Sequence, residues 1–371
     1  VIKSEIIEIK NKFNDERRTQ IIQNPGEIDI EDLIEEEASV IAMTSLNYIK
    51  RTPLATYKSQ NRGGRGIIGM QTREEDAVTR LFVCSTHDYL LFFTSFGRVY
   101  KIKGYEVPEA GRTARGLAIV NLLNISQGEK ITAVVPVREF NDDRYLVMIT
   151  KSGVIKKTSM ESFSNIRKAG LTAVNLREGD ELISAFVTDG NDDIIVATRN
   201  GMGIRFNEED VRPMGRTATG VRAILLSDDD YVVSADIVRE GDKLLNVTEK
   251  GYGKRTDEAN FSVQHRGGKG VKIHQITDKT GKLSGVIKVG DNEELMIVTS
   301  EGVIIRLRGK EISTFGRISQ GVKLINLGAG ITVAGVAKIS EDDIMEQEEA
   351  ETENVIDEFS IPEENNNETD E

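Results

Sequence analysis

Tryptophan is absent from the 371 residues, aromatics amount to 5%, and Cys84 is the only cysteine. One thiol cannot close an internal disulfide, so a reducing cytoplasm is the expected setting. No apolar run approaches the roughly 20 residues of a membrane span, so no membrane partner is expected. There is no signal peptide, and the chain opens on Val1 rather than Met, as a fragment or processed product would. His87, His265 and His274 lack metal-ligand spacing, and with one cysteine no zinc site is expected. Acidic turns such as "SDDD" (227–230) lack the calcium-loop pattern. No Gly-x-x-x-x-Gly-Lys-Ser/Thr string occurs, which excludes a P-loop. "GRGIIG" (64–69) matches Gly-x-Gly-x-x-Gly, but no strand precedes it and no helix follows, so it is not a dinucleotide site.

With 38% hydrophobic residues the chain can bury a sizeable core. Its net charge of −13 is unevenly placed. Residues 341–371 carry 15 acidic and no basic residues, and residues 1–38 carry 11 acidic and 5 basic. The middle, 39–340, keeps 43 basic against 35 acidic residues, a net charge of +8. A basic body beside an acidic tail points to a polyanion partner and a competitor for it. The tail, 341–371, is expected to be disordered. It reads either as a solubilising segment or as a DNA mimic that folds back on the basic body.

Near the start, Ile2, Ile6, Ile9 and Phe13 are spaced 4, 3 and 4, one face of a helix, and a terminal helical segment is assigned to 1–24. Pro25-Gly26 breaks it, and 25–38 reads as an acidic linker. From Ser39 the pattern turns to short β-rich runs and repeats itself. Six segments share Thr-x-x-Gly-x-x-x-Lys/Arg, beginning at Thr44, Thr94, Thr150, Thr198, Thr248 and Thr299, with Asn47 in place of the first glycine. The glycine suits the left-handed slot of a tight hairpin. In five repeats a second element, Arg-x-x-x-Gly, closes 22 residues after the threonine: "RGGRG" (62–66), "RTARG" (112–116), "RTATG" (216–220), "RGGKG" (266–270) and "RISQG" (317–321). The third repeat departs, with "IRKAG" (166–170) after 20 residues. An apolar run follows each closing glycine.

A unit of about 50 residues cannot bury both faces of its own sheet, whereas six arranged radially can. The expected fold is all-β, a six-bladed propeller-like wheel over 39–340. Equivalent loops then fall at equivalent places on its rim, bringing Arg62, Arg112, Arg216, Arg266 and Arg317 round a circle. Arginine forks and glycine-freed N–H groups suit phosphate oxygens, and such contacts position a duplex without reading its sequence. The expected ligand is bent duplex DNA, held as histones hold it. Besides the box described next, the candidate contacts are Arg112, Arg115, Arg167, Lys168, Arg216, Arg222, Arg266, Lys269, Lys272, Arg317 and Lys323.

"QNRGGRG" (60–66) resembles the box motif, Gln-Arg-Arg-Gly-Gly-Lys-Gly, of the DNA gyrase A C-terminal domain family, from which Asn61 and Arg65 depart. "KFNDERRTQI" (12–21) resembles the end of the breakage-reunion region in gyrase A. The resemblance covers all but the acidic tail. It implies a six-bladed β-pinwheel whose blades exchange strands, with DNA wrapped on the rim as a positive crossover. It assigns the box function to Gln60, Asn61, Arg62, Gly63, Gly64, Arg65 and Gly66, as a DNA contact or as a latch between blades one and six. "QHRGGKG" (264–270) is as close a string but falls in blade five, where it reads as an ordinary DNA-contacting loop. The resemblance also implies that the catalytic tyrosine lies elsewhere in gyrase A. ATP and Mg²⁺ would be used elsewhere in an A2B2 complex with gyrase B, and this chain would need no cofactor. Tyr48, Tyr100 and Tyr252 are read as packing or rim residues. A bacterial cytoplasmic, nucleoid-associated location follows from the same resemblance. The alternatives are the C-terminal domain of the topoisomerase IV counterpart, whose box is degraded, and a protein-interaction propeller. The repeat is longer than a WD40 unit and lacks its Trp-Asp signature.

Overall fold

The computed structural model describes residues 2–13, 30–57, 67–68, 70, 76, 78–140 and 143–339. They divide between two units, Val1–Glu35 and Glu36–Glu371. In the first, Ile2–Phe13 is an α-helix with Glu5 in its first turn and Lys10 and Lys12 in its last, the charge order that complements the helix dipole. Its apolar stripe, Ile2, Ile6, Ile9 and Phe13, is exposed. The Pro25-Gly26 breaker and the acidic tail lie outside the described residues. No helix is long and apolar enough to cross a membrane among the described residues.

The second unit is a six-bladed wheel of four-stranded antiparallel sheets. Every blade starts from the repeat's hairpin, and the structure explains its threonine. The Thr44 carbonyl accepts the Asn47 N–H, and the Thr44 Oγ1 accepts the Tyr48 N–H at 3.2 Å. The same hydroxyl bond recurs at Thr94, Thr150, Thr198, Thr248 and Thr299, to the residue four positions on. One side chain thus closes each three-residue loop, and the residue before the return strand is left-handed, with φ 61° at Asn47 and 69–80° at the five glycines.

The middle strands are buried on both faces, so their sequences are apolar throughout rather than alternating. In blade one, Ile41 and Met43 pack towards blade two while Val40 and Ala42 pack towards Met296 and Val298 of blade six. Six such clusters, one between each pair of neighbours, form the core. The innermost strands are Val78–Ser85, Ile131–Val137, Leu182–Thr188, Val232–Val238, Leu283–Lys288 and Val333–Ile339. Each bulges opposite the repeat threonine, which adds local twist.

The outermost strand of each blade comes from the next repeat. Leu117–Ala118 completes blade one, Leu171–Thr172 blade two, Val221–Arg222 blade three, Val271–Lys272 blade four and Val322–Lys323 blade five. Blade six takes its outer strand from repeat one, where Ile67 and Ile68 pair with Ile304 and Val303. The apolar runs after the closing glycines are therefore strands exchanged between repeats, and the last exchange closes the ring.

Candidate nucleic-acid interface

Each of the four described Arg-x-x-x-Gly corners, at 112–116, 216–220, 266–270 and 317–321, leads straight into an exchanged outer strand, which puts it on the outer edge of the wheel. The closing glycine lies flush on the preceding blade. A Cβ at Gly116 would meet the Ile49 carbonyl oxygen at 2.3 Å, and one at Gly321 the Gly253 oxygen at 2.3 Å, with φ of 84° and 72°. No side chain fits there.

Every return strand carries the repeat's cation, three of the six carry a second just before it, and the two positions do different work. The repeat's final Lys/Arg staples each blade to the next repeat. Arg51, Lys101, Lys157, Arg205, Arg255 and Arg306 donate to the carbonyls of Val107, Ser164, Glu208, Phe261, Ile312 and Tyr57. The last of these, at 2.8 Å, joins blade six to repeat one. These cations read from the sequence as charge on the strand; in the fold they are internal fasteners.

One position earlier, Lys50, Lys156 and Lys254 are almost wholly buried. Lys50 Nζ donates to Gly111 O at 3.1 Å and Arg112 O at 2.5 Å. Lys254 Nζ donates to Gly316 O at 2.8 Å and Arg317 O at 2.5 Å. Lys156 Nζ donates to Ala173 O at 2.6 Å and to Arg216 O. Burial, with the neighbouring arginine charge adding to it, draws each ammonium down to about 8. Each still carries its proton at neutral pH and grips the backbone beneath a rim arginine. A lysine is ordinarily exposed, so nothing in the sequence alone marked these three out.

The rim residues expected from the sequence take the following places. Arg115, Arg167, Lys168, Arg222, Lys269, Lys272 and Lys323 are exposed, and Arg112, Arg216 and Arg317 are half-buried at the corners. Arg115 lies over the Tyr48 ring at 5.8 Å and Lys323 over Tyr252 at 5.9 Å. Arg266 differs: its Nε donates to Asp210 O and its Nη1 to Arg222 O. Tyr100 is buried, with its hydroxyl on Glu129 Oε2. Gln60, Asn61, Arg62, Gly63, Gly64, Arg65 and Gly66 lie outside the described residues.

The family profile described as "DNA gyrase C-terminal domain, beta-propeller" matches six successive segments, 38–85, 88–138, 144–189, 192–239, 242–289 and 293–340, one per blade. The chain belongs to the DNA gyrase C-terminal domain family. It is 57% identical to the DNA gyrase A subunit of Halalkalibacterium halodurans, over 94% of this chain and 42% of that one. It is 50% identical to the DNA gyrase A subunit of Clostridium acetobutylicum, over 99% of this chain and 44% of that one. The chain thus spans less than half the length of these relatives. The solved structure of a DNA gyrase A C-terminal domain superposes with a TM-score of 0.76 at 28% identity, covering 82% of this chain and all of that one. The C-terminal domain of DNA topoisomerase IV follows with a TM-score of 0.64 at 25% identity, covering 87% and 99%.

In this gyrase-family domain both flanks of the box segment engage blade six. Tyr57 O takes a hydrogen bond from Arg306, and Ile67–Ile68 is the outer strand. One acidic cluster away from the corners is internally satisfied. Asp189, Asp192 and Glu208 bring carboxylate oxygens within 4.8 Å of one another, but Arg239 pairs with both aspartates and the Thr188 hydroxyl and Asp192 N–H donate to Glu208.

His274 is fully buried, both ring nitrogens lack a hydrogen-bond partner among the described residues, and burial with nearby Lys254 pulls it down to about 4. A folded value below the unfolded 6.5 means the stability is fully present above pH 6.5 and lost as pH falls towards 4. Wild type is therefore expected to lose about 2–3 kcal/mol more than His274→Leu between pH 7 and pH 4.5. Urea midpoints of the two at both pH values check this, and equal losses would contradict it.

Proposed function

We propose that this chain is the DNA-wrapping part of gyrase A. It binds duplex DNA on its outer rim without sequence preference and bends it round the wheel as a positive crossover. The observation that carries this reading is the ring of corners, in which the heads of Arg112, Arg216 and Arg317 make no hydrogen bond or ion pair among the described residues while their backbones are clamped from beneath. An arginine spent on the fold would be paired, as the six staple cations are. Cleavage and ATP hydrolysis belong to the rest of an A2B2 assembly, which uses ATP and Mg²⁺, in the bacterial cytoplasm. The acidic tail competes with DNA for the rim, and a chain ending at residue 340 binds duplex more tightly at low salt.

A gel shift with plain duplex separates this reading from a protein-interaction propeller, which would leave the DNA unshifted. Within the box, Arg62→Ala with Arg65→Ala is expected to remove the wrapping-induced change in DNA topology while reducing binding far less. A double variant that wraps normally removes the box from the account.

A further inference from the structure

The six corners are of two kinds, and the kinds alternate. Corners of the second, fourth and sixth repeats read Gly-Arg-x-x-x-Gly, at Gly111, Gly215 and Gly316. Each lies over a blade whose return strand supplies a buried lysine, while the other blades have Tyr100, Ile204 and Ile305 at that position. The leading glycines have no internal reason to be glycine. None has a left-handed φ, and a Cβ on any of them would meet nothing within 4 Å. All three are exposed, each followed by a half-buried arginine and an exposed residue. A repeated glycine that the fold does not need points to something outside the fold that must come close.

The lysines give the corners a direction. In a trans peptide the C=O and the following N–H point opposite ways. Lys50 draws the Gly111 and Arg112 carbonyls inward, so the N–H groups of Arg112 and Thr113 face away from it. Lys254 does the same for Arg317 and Ile318, and Lys156 for Thr217. None of these N–H groups donates a hydrogen bond among the described residues. Successive free N–H groups beside an unpaired guanidinium make an anion-binding concavity. The fifth repeat's corner has no such character, because the Arg266 head is turned onto backbone carbonyls.

Resting on the wrapping reading, we propose that the second, fourth and sixth corners are three matched phosphate seats. In each, the arginine head and the outward N–H groups, two at the Arg112 and Arg317 corners and one at the Arg216 corner, take a phosphodiester oxygen, Gly111, Gly215 or Gly316 keeps the approach open, and Lys50, Lys156 or Lys254 acts as a positioning residue. Three related seats on alternate blades suit a long ligand with regularly spaced anions, which a duplex backbone supplies and a single small anion does not.

The test uses the full 371-residue chain carrying Gly111→Ala, Gly215→Ala and Gly316→Ala together, titrated with a labelled linear duplex at fixed salt. The fold has room for all three methyl groups, so the melting temperature should hold. Duplex affinity should fall roughly tenfold or more, the scale of lost hydrogen bonds to charged groups. The dependence on salt should keep its slope, because no cation has been removed. Gly285→Ala, also open and not left-handed but on an innermost strand, should bind as wild type does. Unchanged affinity in the triple variant, with Arg112→Ala, Arg216→Ala and Arg317→Ala still weakening binding, overturns the seats and leaves the rim reading standing. A wild-type chain that does not bind duplex overturns both.

Discussion

Duplex binding by this chain is expected to weaken by roughly 10³–10⁵ between 50 and 200 mM salt, the loss that goes with neutralising about 6–10 phosphates. Arg112, Arg115, Arg167, Lys168, Arg216, Arg222, Lys269, Lys272, Arg317 and Lys323 lie at the corners and exchanged strands with side chains open to solvent in whole or part. Each such cation replaced by alanine should lower the slope of log affinity against log salt by about one. The buried set makes the opposite prediction. Arg205, Arg255 and Arg306 carry the same charge, but each guanidinium is largely buried and already paired, with Asp193, with the exposed Asp291 and with the buried Glu294. Removing one of them should change stability and leave the slope alone. Affinities measured across a salt series for both groups decide the matter; equal effects from rim and internal cations would contradict the assignment.

The largest expected loss of stability follows from Arg306→Met. Arg306 and Glu294 are both nearly buried and paired with each other, and the guanidinium also holds the Tyr57 carbonyl. Removing the cation leaves the buried Glu294 carboxylate with only the exposed Arg308, at 3.4 Å, and the loss is expected near the lower end of the roughly 3–5 kcal/mol that breaking a buried pair costs. The staple it breaks is the one joining the last blade to the first repeat. Arg51 holds the equivalent place in blade one, but its carboxylate partners are the half-buried Glu37 and the exposed Glu109. Arg51→Met should therefore cost much less, since half-exposed pairs contribute little. Adding Glu294→Gln to Arg306→Met should recover part of the loss. Chemical denaturation of the four proteins measures each step. If Arg306→Met is no worse than Arg51→Met, the closing contact is not the special one.

Much of this was visible in the residues. The hairpin glycines and Asn47 stand where a left-handed backbone is required, so the repeat and its period of about 50 could be read directly. A unit of that length cannot bury both faces of its own sheet, and six of them in order pointed to the radial architecture. The strand exchange showed only through resemblance, because a pair such as Leu117–Ala118 is too short to have a period and its partner lies in the preceding blade. Charge was the hardest to read. A lysine at position 50 and one at position 168 look alike in sequence, yet the first is sealed under a corner and the second faces solvent. Arg266 matches the other corner arginines in spacing, but Asp210 and Arg222 supply carbonyls that turn its head aside. The box itself lies outside the described residues, and only its flanks, at Tyr57 and Ile67–Ile68, tie it to blade six.

The rim is expected to bend DNA into a path of one hand rather than merely attract it. Relaxing a closed circular plasmid with a type I topoisomerase in the presence of the chain, then removing protein, tests this most directly. A residual positive linking change is expected, growing with protein concentration and vanishing in Arg62→Ala with Arg65→Ala. Saturating DNA binding with no residual linking change would contradict it.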